Sequence, residues 1–182
     1  QAALDKGCKA AEARADKLLA DGPDEHGLTR DEIAAIHLYS QPELLYGPLN
    51  KALWSKKRGA VKPYWGYIRL LQHALFKVPK SDAGVIYRGI KDPYRDPEAP
   101  LTEEAMLTKA TQSEGGGSVE PEIWWGFGSC STSQPEVIKF LNRDGVDVDR
   151  VLFIVEGGSS ARDVRRYSEF EEEAEVLMPF GS

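Results

Sequence analysis

Two cysteines, three histidines and two methionines are all that the 182 residues offer in thiol, imidazole and thioether groups. No C-x-x-C occurs and no His/Cys spacing suits a metal, so a zinc or iron–sulfur site is not expected. Two cysteines also cannot make a disulfide framework, although a single bridge between Cys8 and Cys130 stays open. No apolar run is long enough to span a bilayer, so no membrane partner is expected. Internal repeats and low-complexity tracts are also missing. The start at Gln1 is read as that of a processed or trimmed chain, so the lack of a targeting segment says nothing of location.

What is present describes one globular domain. The chain is 41% hydrophobic and 29% charged, with a length that suits a single core. Its net charge of −6 is unevenly spread: residues 1–80 hold 13 Lys/Arg against 9 Asp/Glu, and residues 81–182 hold 10 against 20. A second part this acidic repels phosphate backbones, so nucleic acid is not an expected partner.

The first part is patterned as helices. Leu4, Cys8, Ala11, Ala15, Leu18 and Leu19 recur at three- and four-residue steps before Gly22-Pro23. Thr29-x-x-Glu32 is a capping box for a second helix with Ile33 and Ile36 inward. Pro48 suits the first turn of a third, carrying Leu49, Ala52 and Leu53. Tyr64, Tyr67, Ile68, Leu71 and Leu75 form the stripe of a fourth, ended by Pro79. His26, His37 and His73 have no partner at metal or triad spacing and are read as incidental.

After Pro79 the texture turns to β. A strand is expected over residues 84–90, a proline-rich loop over 92–100, a weak helix over 102–109 and a glycine connection at 115–117. A further strand is expected over 124–133, and a helix over 135–141 with Ser133 as N-cap and Ser133-x-x-Glu136 boxing its start. The apolar run 151–155 reads as a buried strand, Gly157-Gly158 ends it, and a last strand covers 176–180. Helices first and strands after make an α+β fold. A doubly wound nucleotide fold lacks its fingerprint here, because Gly126-Phe127-Gly128 is followed by Ser-Cys-Ser instead of completing G-x-G-x-x-G.

Chemistry concentrates near the C-terminus, where Ser168 to Pro179 reads S-E-F-E-E-E-A-E-V-L-M-P. Local propensity alone allows a short helix here, because Ser168-x-x-Glu171 is itself a capping box and an acidic run is commonly a solvated face. On a strand, by contrast, Glu173 and Glu175 point the same way. Three fragments are then read together: Tyr87-Arg88-Gly89, Ser131-Thr132-Ser133 and Glu173-Ala174-Glu175. In this order, with Phe127 four residues before Ser131, they resemble the R-S-E pattern of the ADP-ribosyltransferase superfamily, in the branch of clostridial-type toxins and arginine-specific ecto-enzymes. The resemblance covers most of the chain.

The resemblance implies a helical N-terminal lobe (1–80) packed on a β-rich core (81–182), a twisted two-sheet sandwich with an NAD cleft. It implies transfer of ADP-ribose from NAD to a protein arginine, with release of nicotinamide and inversion at the anomeric carbon. Ser168 to Glu173 then becomes a loop and Glu175 to Phe180 a strand. Arg88 grips the pyrophosphate, and Gly89 lets the backbone approach it. Glu175 stabilises the oxocarbenium-like ribosyl centre, Ser131 hydrogen-bonds Glu175 and orients the cofactor, and Glu173 faces the acceptor guanidinium. Arg162, in the position of the family's phosphate–nicotinamide loop, is a phosphate contact, and Phe170 is the aromatic contact of an acceptor-recognition loop over 165–173. Glu169, Glu171 and Glu172 are peripheral, or attract a cationic acceptor. Cys130 packs inward without a His partner.

NAD is thus expected as co-substrate without a metal, on a monomer whose partner is a protein arginine. Lacking a framework of several cysteines, the chain departs from the vertebrate ecto-enzymes, which speaks against a cell-surface protein; a secreted or host-translocated protein is expected over a resident cytoplasmic one, with an endogenous regulator left open. Two rivals stand: an NAD glycohydrolase using Arg88, Ser131 and Glu175 with water as acceptor, and a non-catalytic domain whose acidic loop binds a basic partner.

Overall fold

A computed structural model describes residues 2–41, 44–55, 57–91, 124–143, 145, 148–157, 160–170 and 173–182. The expectations for 92–100, 102–109 and 115–117 lie outside these residues.

Four helices come first: α1 (Ala2–Leu19), α2 (Arg30–Ser40), α3 (Tyr46–Trp54) and, after a 3-10 turn at Arg58–Tyr64, α4 (Trp65–Lys77). The start of α2 is set by its own side chains. The Thr29 hydroxyl accepts from the Glu32 N–H at 3.3 Å, and Glu32 returns the bond to the Thr29 N–H at 2.7 Å, closing the expected capping box. Glu32 is buried and also holds His73 Nδ1 at 2.6 Å and Lys77 Nζ at 2.8 Å, so one carboxylate staples α2 to α4. His73 is therefore part of a structural tie rather than incidental.

The described strands are β1 (Val85–Lys91), β2 (Gly128–Ser131), β3 (Arg150–Glu156), β4 (Arg162–Asp163) and β5 (Glu175–Met178), with α5 (Gln134–Asn142) between β2 and β3. Among the described residues they form one antiparallel sheet in the order β3-β1-β2-β5-β4, where two sheets were expected. The run read as a buried strand, β3, is an edge of this sheet, and its residues are half-buried or exposed, Ile154 at 57%. All four residues of β5 are buried, because it lies inside the sheet and is covered on both faces.

Alternation along β5 divides the interior. Leu177 joins Phe127, Val164 and Tyr167 against Ile33, Ile36, Leu49, Leu71 and Leu75 of the helices. Val176 and Met178 turn the other way, to Ile86, Cys130 and Ala161. Glu175 shares the Leu177 face, which puts its carboxylate at the seam between sheet and helices.

Gly89 is needed for packing inside the protein: a Cβ there would come within 2.9 Å of Leu141 Cδ2 and 3.0 Å of Val137 Cγ1, so the approach it permits is that of α5. Cys8 and Cys130 are both free, and burial pushes the Cys130 thiol up to about 11, which keeps it from acting as a nucleophile.

Candidate active site

Glu175 opens β5, paired across from Ser131 on β2. The residue is 8% exposed, and both carboxylate oxygens are bonded: Ser129 Oγ donates to Oε1 at 2.8 Å and Ser168 Oγ to Oε2 at 2.5 Å. Two hydroxyl donors, one on each oxygen, fix the plane of the carboxylate.

The hydroxyl on Glu175 is thus that of Ser129, whereas the sequence pointed to Ser131. Both lie on one face of β2, two residues apart, and competition decides between them. Ser131 Oγ donates to Glu136 Oε2 at 3.1 Å and accepts from the Ser133 N–H at 3.0 Å as the strand turns into α5. Glu136 Oε2 also accepts from the Ala174 N–H at 3.1 Å, so the carboxylate expected to box the helix start joins the end of β2 to the start of β5. Ser133 is the N-cap residue of α5 by position, but its side chain makes no cap bond.

Arg88 reaches the same serine from β1. Its Nη1 donates to the Ser129 carbonyl at 2.7 Å, and its guanidinium lies 5.5 Å from the centre of the Trp124 ring. One residue, Ser129, therefore carries the arginine on its carbonyl and the glutamate on its hydroxyl. The buried Arg88 Nε–H meets no acceptor among the described residues, a donor left over that suits an anionic ligand such as a phosphate.

The peptide of Phe127, just before β2, is clasped by Asn50 of α3. Asn50 Oδ1 accepts from the Phe127 N–H at 2.9 Å, and its Nδ2 donates to the Phe127 carbonyl at 3.1 Å. Tyr39 of α2 donates to that carbonyl at 3.0 Å and accepts from Asn50 at 2.9 Å. Burial raises the Tyr39 hydroxyl well above the usual phenol range, so it serves as a fixed donor.

Glu173 is exposed, two residues before Glu175; its N–H bonds the Phe170 carbonyl at 3.1 Å, and the Glu175 N–H bonds the Glu173 carbonyl at 2.7 Å. Phe170 is half-buried, and its N–H donates to Ser168 Oγ at 3.2 Å, so the chain turns at Ser168 to Phe170. No helix forms at 165–170. Arg165 pairs with Asp163 at 2.9 Å and Arg166 with Glu25 at 3.2 Å. Arg162 is buried at the α4 end of the sheet: its Nη1 donates to the Val78 carbonyl at 3.2 Å and its guanidinium lies 5.4 Å from the Phe76 ring centre. Glu171 and Glu172 lie outside the described residues.

Ser129, Ser168, Asn50, Tyr39 and Glu136 are the members that sequence reasoning missed. Ser129 alone carried a usable signal, a second hydroxyl at strand spacing from Ser131. Among the described residues no group of His, Cys, Asp and Glu side chains could hold a metal ion, and no helix is long and apolar enough to cross a membrane.

No protein-family model matches the chain, and no curated protein matches it. Solved structures do. The ADP-ribosyltransferase Vis of Vibrio splendidus, in complex with agmatine, superposes with a TM-score of 0.57 at 22% identity, covering 97% of this chain and 74% of that one. The eukaryotic mono-ADP-ribosyltransferase ART2.2 gives 0.67 at 20% identity over 99% and 70%. The C3 exoenzyme of Clostridium limosum gives 0.56 at 20% identity over 96% and 83%. The chain has the fold of the mono-ADP-ribosyltransferases.

Proposed function

We propose that the chain transfers ADP-ribose from NAD to an arginine side chain of a protein. The observation that carries this reading is the buried Glu175 carboxylate, held by the hydroxyls of Ser129 and Ser168, with Arg88 of β1 on the carbonyl of the same Ser129. Similar proteins supply support: Vis has been solved with agmatine, a small guanidine, and a variant of ART2.2 with NAD.

In this reading NAD lies in a cleft between the helices and the sheet. Arg88, through its spare donors, holds the pyrophosphate. Glu175 faces the ribose carbon that carries nicotinamide, holds the 2′-hydroxyl and offsets the positive charge that develops as the bond stretches. The C1′–N bond breaks with its electron pair going to nicotinamide, which leaves neutral. A guanidine nitrogen attacks C1′ from the opposite face, inverting it, and Glu173 pairs with the guanidinium and takes the proton that nitrogen loses. A single catalytic domain acting after secretion or transfer into a host cell goes with this reading.

The test is product analysis after incubation with NAD and agmatine. The expected products are nicotinamide and ADP-ribosylagmatine. Glu173→Gln is expected to keep nicotinamide release and lose ADP-ribosylagmatine. Free ADP-ribose as the sole product of the unmodified protein would make it a glycohydrolase, and no nicotinamide release at all would overturn the reading.

A further inference from the structure

His37, on α2, is buried at 6% exposure, and both ring nitrogens face acceptors. Nδ1 lies 3.1 Å from the Tyr167 carbonyl and Nε2 lies 2.9 Å from Glu169 Oε2. These two partners flank Ser168. Ser40, one turn along α2, completes the clasp: its hydroxyl accepts from the Glu169 N–H at 2.7 Å and donates to the His37 carbonyl at 2.9 Å. We propose that His37 is a positioning residue for Glu175, gripping the chain on both sides of Ser168 so that the Ser168 hydroxyl meets Glu175 Oε2. The inference rests on the reading of Glu175 as the carboxylate that works at the ribosyl centre.

Geometry favours a specific device over general packing. The Ser168 backbone is tied within its own turn, its N–H bonding the Val164 and Arg165 carbonyls at 2.9 and 3.3 Å. Its hydroxyl donates to Glu175 and accepts from the Phe170 N–H, so its direction depends on where residues 167 and 169 are held. Among the described residues Glu169 is the charged group in contact with the ring. The other charges in this seam engage Tyr167 and its neighbour instead: Asp24 accepts from the Tyr167 hydroxyl at 2.9 Å, His26 meets the Tyr167 ring edge-on at 6.4 Å, and Arg166 pairs with Glu25 at 3.2 Å while its carbonyl accepts from Arg14. This also accounts for Glu169 of the acidic run: its carboxylate is turned to α2 rather than offered to an acceptor.

The experiment combines kinetics with NMR on the full chain. Ser168→Ala, His37→Gln, the surface variant Glu169→Ala and the double variant Glu169→Ala/Ser168→Ala are compared with the unmodified protein. Glu169→Ala is expected to lower kcat for nicotinamide release about tenfold while leaving KM for NAD unchanged, because it loosens the catalytic carboxylate and not the binding residues. In the Ser168→Ala background Glu169→Ala is expected to cost nothing more, since both act through one hydroxyl. His37→Gln, if it folds, is expected to behave like Glu169→Ala. Additive losses, or a KM effect with kcat intact, would overturn the inference. If the unmodified protein releases no nicotinamide, the functional reading falls, and the positioning is judged on the amide resonances of Ser168 and Glu175: they are expected to move in Glu169→Ala, and their standing still would overturn it.

Discussion

Ser129 is the residue on which the site converges, because its two polar groups serve different masters. Its carbonyl holds Arg88 and its hydroxyl holds Glu175 Oε1. Removing a hydroxyl from a charged acceptor costs roughly 1.5–3 kcal/mol. Ser129→Ala is therefore expected to lower the rate of nicotinamide release by about ten- to a hundredfold. Ser131→Ala is expected to act less on rate and more on stability, since its hydroxyl serves the β2–α5 turn and Glu136. Steady-state kinetics beside urea unfolding of both variants checks this division; the reverse order would return the role to Ser131. The sequence made the glutamate and arginine legible through their neighbours, Val176-Leu177 after Glu175 and Gly89 after Arg88. It could not say which of two serines on one strand face would reach the carboxylate, because that depends on Glu136, five residues further along.

At the scale of elements, the helices were plain from apolar spacing, and α2 began where Thr29 and Glu32 said it would. The edge position of β3 was not legible, since an apolar run looks the same at the edge of a sheet as at its centre and only strand order tells them apart. The role of His37 is illegible in the sequence for a related reason: its partners lie 130 and 132 positions away, beyond any local spacing. The seam between β1 and α5 offers a direct check on packing. Gly89→Ala would drive a methyl into Leu141 and Val137, and overpacking of this kind costs about 1–3 kcal/mol. A lower urea midpoint with an unchanged slope is expected, together with weaker NAD binding as β1 carries Arg88 out of place. Unchanged stability would mean that α5 yields freely.

For the whole molecule, the site exists only where the helical lobe meets the sheet. Asn50 and Tyr39 hold the approach to β2, and His37 and Ser40 hold the turn before β5, so α2 and α3 set both serines that bond Glu175. The lobe is itself stapled by Glu32. Burial alone would raise this carboxyl, but the Lys77 ammonium, the Thr29 N–H and His73 outweigh it and hold the group at about 2. A depressed carboxyl stabilises the fold fully above its ordinary value of 4.5, and the stabilisation fades as pH falls from there through about 2. The shift corresponds to on the order of 3 kcal/mol. Glu32→Gln is expected to lower stability near neutral pH and to flatten the loss of stability on the acid side, as followed by urea unfolding across that range. An acid limb identical to that of the unmodified protein would place the acid sensitivity elsewhere.

Glu175, in the proposed reaction, works on the ribosyl centre of NAD rather than merely closing the seam between helices and sheet. The most direct measurement is NAD affinity by calorimetry and nicotinamide release, on the same folded sample of Glu175→Gln. Retained NAD binding with nicotinamide release abolished is the expected result. Release at the rate of the unmodified protein would contradict it.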